Sequence, residues 1–169
     1  GEVSLDIHPH PLDWLHFENS LSLIYGLNRG GKGIQINGNN KYLPFIPPLH
    51  TNSELRANMK RKLNHFSSMY AKIGMEVYVK QDRVYSAYDT ETPTPGYTLF
   101  NAGIGTAVTD SHGKVLFTVD VLGNNMTDVA YQSHLSRLKY FEEYPNNPTG
   151  RSGIYNMGRN IGFKMILPF

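Results

Sequence analysis

The closing stretch of the chain, Arg159 to Phe169, reads RNIGFKMILPF. Ile161, Phe163, Met165, Leu167 and Phe169 fall on every second position, so a pleated strand carries all five on one face. Asn160, Gly162, Lys164, Ile166 and Pro168 go to the other face. The stretch therefore predicts an amphipathic strand. A chain end holds such a conformation only when it is tied into a sheet.

Working back from that strand, the same period of two recurs. Val115, Phe117, Val119 and Val121 alternate with Thr118, Asp120 and Asn124, and Thr98, Phe100, Ala102, Ile104, Thr106 and Val108 alternate with Leu99, Asn101, Gly103, Gly105 and Ala107. Leu116 and Leu122 interrupt the polar row of the former, which suggests a strand covered on both sides. Further back, Met69, Ala71, Ile73, Met75, Val77 and Val79 alternate with Tyr70, Lys72, Gly74, Glu76, Tyr78 and Lys80. Before them, Thr51, Ser53, Leu55, Ala57, Met59 and Leu63 alternate with a strongly charged row. A strand from about Trp14 to Leu27 and a short one over Val3 to Ile7 complete a set of seven. Glu54 to Met75 is rich in helix formers, but a period of two fits it better than 3.6. A helical turn is expected around Gln132 to Glu143, where Leu135, Leu138 and Phe141 share one side.

The connections alternate in length. Those near residues 8–13, 64–65 and 110–113 are short; those at 28–49, 83–96 and 127–158 are long and rich in Gly, Asn and Pro. In an up-and-down meander this sorts every long loop to one end and every short turn to the other. Outer-membrane barrels have that asymmetry, with short periplasmic turns and long extracellular loops. A soluble barrel has no comparable reason to sort its loops. With short turns on the periplasmic side, the closing strand runs from the outside inward.

Composition narrows the classes. The chain has 169 residues, a formal charge of +2 and no cysteine. Disulfide frameworks, thiolate metal sites and cysteine nucleophiles are thereby removed, and there is no polyelectrolyte signal for nucleic acid. No apolar run approaches the roughly 20 residues of a membrane-spanning helix. A mean hydropathy of −0.39 suits barrel strands, which are apolar on alternate positions only. The first residue is Gly and no signal-peptide pattern precedes the first strand, so a mature or excised segment is expected.

Four stretches, Asp6–Ser22, Lys41–Pro48, Glu91–Gly105 and Val121–Lys139, followed by the closing GRNIGFKMILPF, resemble in this order the C-terminal part of the β-barrel of TonB-dependent outer-membrane receptors. The resemblance implies an all-β, antiparallel up-and-down meander of about seven strands, part of a barrel of about 22. It implies that residues 1–169 are a single β-domain, a C-terminal fragment of a receptor barrel from which the plug domain and coupling box are absent. It implies a role in energy-coupled uptake of a scarce ligand (an iron chelate, a metal ion, a corrin or a saccharide) at the outer membrane of a Gram-negative bacterium. The partners so implied are outer-membrane lipid, the barrel-assembly machinery and a periplasmic energy-coupling protein. The closing strand also looks like the assembly signal of such barrels, with Asn160, Gly162, Met165 and Leu167 in the signal positions and Phe169 as the terminal aromatic. Cut from its parent, a sheet of this kind is expected to curl into a small barrel or strongly curved sheet, or to pair with a second copy.

Other constellations read more plainly. His8 and His10 flank Pro9 and are read as a rigid turn rather than a chelate. His134 lies in the longest loop and is the one weak metal candidate, within a QSHLSRLK segment that resembles receptors including metal importers. Asp110 and His112 are read as turn residues, Lys60-Arg61-Lys62 as a solvated strand end, and Gly30-Gly31-Lys32-Gly33 is too short for a phosphate loop. Glu18, Glu54, Arg56, Lys60, Lys72 and Glu76 lie on polar faces and are expected to pair across strands. No nucleophile motif or catalytic carboxylate pair occurs, so neither enzyme activity nor a cofactor is expected. A self-contained small β-barrel binding an apolar ligand is the alternative reading, and a β-sheet enzyme a third without a supporting motif.

Overall fold

The computed structural model describes residues 1–61, 63–140 and 153–168. It contains β1 (Glu2–Ile7), β2 (Leu15–Ser22), β3 (His50–Asn58), β4 (Phe66–Tyr78), β5 (Tyr97–Thr109), β6 (Val115–Asn124) and β7 (Asn160–Ile166). They form one sheet in chain order, each strand antiparallel to the next. The alternation of short turns and long loops is as expected. Glu54 to Met75 is strand, turn and strand. Asn64 supplies the reversal with φ of +49°, a left-handed conformation that Asn tolerates better than most residues.

The register sets the faces, because directly opposed residues of an antiparallel pair point the same way. Ile7 faces Phe17, Phe17 faces Leu55, Leu55 faces Ile73, Ile73 faces Ala102, Ala102 faces Gly123 and Gly123 faces Ile161. A second row runs Ala57, Ala71, Ile104, Val121 and Phe163. One face is thus predominantly apolar, interrupted by a hydrogen-bonded polar patch of Asn19, Thr51 and Ser53, and among the described residues nothing covers its centre: Ile73 is 62 % exposed, Ile104 58 % and Phe163 69 %. Burial falls on the opposite side. Along β5 the buried residues are Leu99, Gly103, Gly105, Ala107 and Thr109, all on the polar face. Side chains reaching across from neighbouring strands cover them.

Two bulges adjust this pattern. One lies in β4 between Ser67 and Tyr70, opposite Ala107 to Gly105. The other makes Leu116 the extra residue between Val115 and Phe117. This corrects the expectation of a doubly covered strand: Leu116 is an exposed bulge residue. Leu122 instead lies over Gly103, where an added Cβ would come within 2.9 Å of its Cδ2.

Other boundaries also shift. β2 stops at Ser22 because the chain peels away to a loop pinned by the Leu27–Tyr42 bridge. β3 stops at Asn58, and the expected helical turn narrows to a 3-10 turn over Arg137–Tyr140; its continuation to Glu143 lies outside the described residues. A second 3-10 turn, Ala87–Asp89, was not expected.

The sheet is open. Among the described residues β1 pairs only with β2 and β7 only with β6, so the small-barrel branch of the expectation does not form. Parity is one reason. In a meander of seven strands the first and last run parallel, and closure would need a parallel seam in an otherwise antiparallel ladder. Size is another, since a barrel this small has room only for packed interior side chains.

Candidate functional site

The polar face is built in three zones. At the long-loop end, aromatic rings stack in sequence across the strands: His50 on Tyr78 with centroids 5.3 Å apart, Tyr78 on Tyr97 at 4.6 Å, and Tyr97 against the loop residue Tyr131 at 4.5 Å. In the middle lies a charged network. Lys72 pairs with Glu54 at 2.9 Å, Asn101 donates to Glu76 at 2.7 Å, and the Tyr70 hydroxyl donates to Asp120 at 2.7 Å with the Arg56 guanidinium 4.0 Å above its ring. Tyr70 reaches Asp120 across β5 because the intervening residue is Gly105; a Cβ there would collide with the ring and the carboxylate. At the short-turn end, Asp6 and His16 meet at 2.6 Å, with His8 and Glu18 beside them.

Above the aromatic zone the long loops are tied by a buried polar knot. Glu91 accepts from the backbone N–H of Phe45 at 2.5 Å and of Tyr85 at 2.8 Å, joining the loop after β2 to the loop after β4. Gln81 donates to the Ile46 carbonyl at 2.8 Å across the same pair of loops. The loop after β6 enters through Lys139, whose Nζ donates to the Thr92 carbonyl at 2.7 Å, the Pro93 carbonyl at 3.1 Å and Thr94 Oγ1 at 2.7 Å. His134 completes the knot, with Nδ1 2.7 Å from Thr94 Oγ1 and Nε2 3.6 Å from Glu91 Oε1.

A carboxylate only accepts, so the network assigns the His134 proton to Nε2 and makes Nδ1 the acceptor of the Thr94 hydroxyl. Among the described residues Nε2 has no hydrogen-bond partner. Burial disfavours the charged imidazole and lowers its pKa. Glu91 opposes this and Lys139 adds to it.

The residues singled out in the sequence are placed as follows. Asn160 and Gly162 lie on the polar face of β7 and Met165 on its apolar face, with Leu167 just beyond the strand. Phe169 lies outside the described residues. Among the described residues β7 pairs along one edge only, and a Cβ at Gly162 would meet nothing nearer than the Leu122 carbonyl at 3.8 Å. Packing against β6 therefore does not require glycine there.

His134 is not an open loop ligand but a buried member of the knot. His8 approaches Asp6 and His16 rather than His10. Asp110 holds its turn by accepting from the N–H groups of His112 and Lys114. Lys60 pairs with Asp13 at 3.2 Å, while Glu54 and Lys72 pair as expected. Glu91, Thr94 and Lys139 were missed in the sequence. Apart from Tyr85, which is close to Glu91 in the chain, the partners that join them into the knot lie 40 or more residues away, and the local signal is a Glu within a Pro-rich loop.

A cleft of about 340 Å³ lies beside the knot, lined by Leu23, Tyr25, Tyr42, Ile46, Gln81 and Arg83. The Arg83 guanidinium sits 5.0 Å above the Tyr25 ring there. The geometry thus defines a class by shape alone: a single-layer antiparallel meander, apolar on one side and charged on the other, with its long loops bound together at one end. No family model matches the chain, and neither a curated protein nor a solved structure matches it.

Proposed function

We propose that this chain is a segment of the barrel wall of an outer-membrane receptor of the TonB-dependent type, serving energy-coupled uptake of a scarce ligand. The observation that carries the reading is the inverted burial: a predominantly apolar face left uncovered by the described residues while the charged face is packed. In water such a face would be costly, at about 25 cal/mol per Å² of apolar surface. Against lipid tails it is the favoured surface, and the five interior strands each pair with a neighbour on both sides, as a bilayer demands. The two free edges fit a piece of a larger cylinder. In that setting the polar face lines the lumen, the knotted loops form the ligand-facing mouth, and the closing strand serves as the assembly signal through Asn160, Gly162, Met165, Leu167 and Phe169. The ligand class is an iron chelate, a metal ion, a corrin or a saccharide.

The absence of cysteine makes the test direct. Single-cysteine variants of the membrane-inserted protein are exposed to a polar maleimide. Ile73→Cys and Phe163→Cys should resist labelling, while Asn52→Cys and Lys164→Cys should label readily once the lumen is wetted. Equal labelling of the two rows would overturn the reading. Uptake assays on the intact receptor with those four ligand classes then separate the candidates.

A further inference from the structure

The β1–β2 hairpin holds a constellation that the uptake reading does not use. Asp6 and Glu18 are directly opposed across the two strands. Continuing that register by one step, past Ile7 and Phe17, sets His8 opposite His16. Two carboxylates and two imidazoles therefore occupy a two-by-two block on the polar face. The closest donor atoms are already gathered: Asp6 Oδ1 lies 2.6 Å from His16 Nε2 and 3.4 Å from His8 Nε2, and one ligand atom from each of the three residues lies within 4.8 Å of the others. Glu18 Oε1 stands 3.5 Å from His16 Nε2. The two imidazole rings lie side by side, centroids 3.9 Å apart.

Charge gives the second reason. Glu18 also faces Glu54 across β2 and β3, so three carboxylates form one row, an arrangement that like-charge repulsion destabilises. Lys72 answers Glu54 at 2.9 Å. Among the described residues no Lys or Arg lies within ion-pair distance of Asp6 or Glu18, whose only such partners are imidazoles.

We propose that Asp6, His8 and His16, with Glu18 as the adjoining carboxylate, bind a divalent transition-metal ion of the Zn²⁺ class. Imidazole nitrogen with carboxylate oxygen is a donor set suited to Zn²⁺, Ni²⁺ and Cu²⁺ and poorly suited to Ca²⁺ or Mg²⁺. Bonds of about 2.0–2.1 Å in a tetrahedron place ligand atoms roughly 3.4 Å apart. The His8–Asp6 separation already matches, and the His16–Asp6 separation needs to widen by less than 1 Å. The side chains of His8 and Asp6 are 61 % and 58 % exposed, so they are free to make that adjustment. The site rests on the β1–β2 register alone and stands or falls separately from the membrane reading.

The test is Zn²⁺ titration of the metal-stripped full chain in detergent micelles, with Cu²⁺ as a spectroscopic probe. The expected result is one saturable Zn²⁺ equivalent. Affinity should fall at least 100-fold in the His8→Gln/His16→Gln double variant and stay unchanged in His112→Gln. Acidification should weaken binding, since imidazole must shed its proton to ligate. The Cu²⁺ resonance should show coupling to two nitrogens in the parent chain and none in the double variant. Strand content by circular dichroism establishes that the double variant keeps its sheet. Should it lose the sheet, the two-nitrogen coupling in the parent chain decides. Absence of saturable binding, or equal affinity in a folded double variant, would overturn the site.

Discussion

At the scale of single residues, the buried knot makes the sharpest expectations. The pKa of His134 is held below the free-imidazole value of 6.5, so the folded chain prefers the neutral ring. The sign follows from linkage. Above pH 6.5 both folded and unfolded forms are neutral and no penalty arises. As pH falls through 6.5 the unfolded chain takes up the proton first, and stability is lost until the lower folded value is passed. Limited proteolysis within residues 79–96 and 125–140 should therefore accelerate on acidification from pH 7 to pH 5, and the pH dependence should weaken in His134→Gln.

Lys139 presents a different case, because its ammonium satisfies three loop acceptors at once. Lys139→Met removes charged hydrogen bonds worth about 1.5–3 kcal/mol each before compensation by water. It should open the same segments at every pH. Gly105 is the third. Gly105→Ala places a methyl against the Tyr70 ring and the Asp120 carboxylate, and should destabilise the sheet by about 1–3 kcal/mol. The added Tyr70→Ala change should restore part of that loss, as denaturant unfolding of the two variants will show.

At the scale of elements, the period of two in β3 to β7 was legible because it depends on neighbours two residues apart in one strand. Leu116 and Leu122 show the limit of that legibility. Both look like breaks in the polar row, yet one is a bulge residue and the other fills the space over Gly103. Neither explanation is local, since each needs the register of the next strand. The strand faces also carry a prediction. On the lipid-facing reading, Ile73→Lys places a charge near mid-sheet and should cost about 2–4 kcal/mol of stability in a bilayer. The same change in a water-exposed face would be nearly neutral. β7 carries a further one: Gly162→Ala should leave the unfolding free energy of the sheet within about 0.5 kcal/mol, because the site is roomy. Assembly into the outer membrane should nonetheless fall if Gly162 belongs to the signal; normal insertion of the variant would remove it from that role.

For the whole molecule, the open sheet leaves β1 and β7 with one edge each that no described strand pairs, and unpaired edges template further pairing. The isolated chain should associate in a concentration-dependent way when detergent is withdrawn, and sedimentation velocity reads this directly. A stable monodisperse monomer in water would require the apolar face to be covered in some other way.

The order of strands, the two faces and the sorting of loops were all determined by the sequence itself, because period and turn chemistry are local properties of the chain. Only the tertiary structure decided three other things. The sheet stays open because an odd meander brings its ends together parallel. His134 becomes a buried structural group because loops far apart in sequence converge on it. His8 finds His16 rather than His10 because a hairpin register brings opposed residues closer than a proline-separated pair. Each of these depends on contacts between segments distant in the chain, which no local pattern encodes.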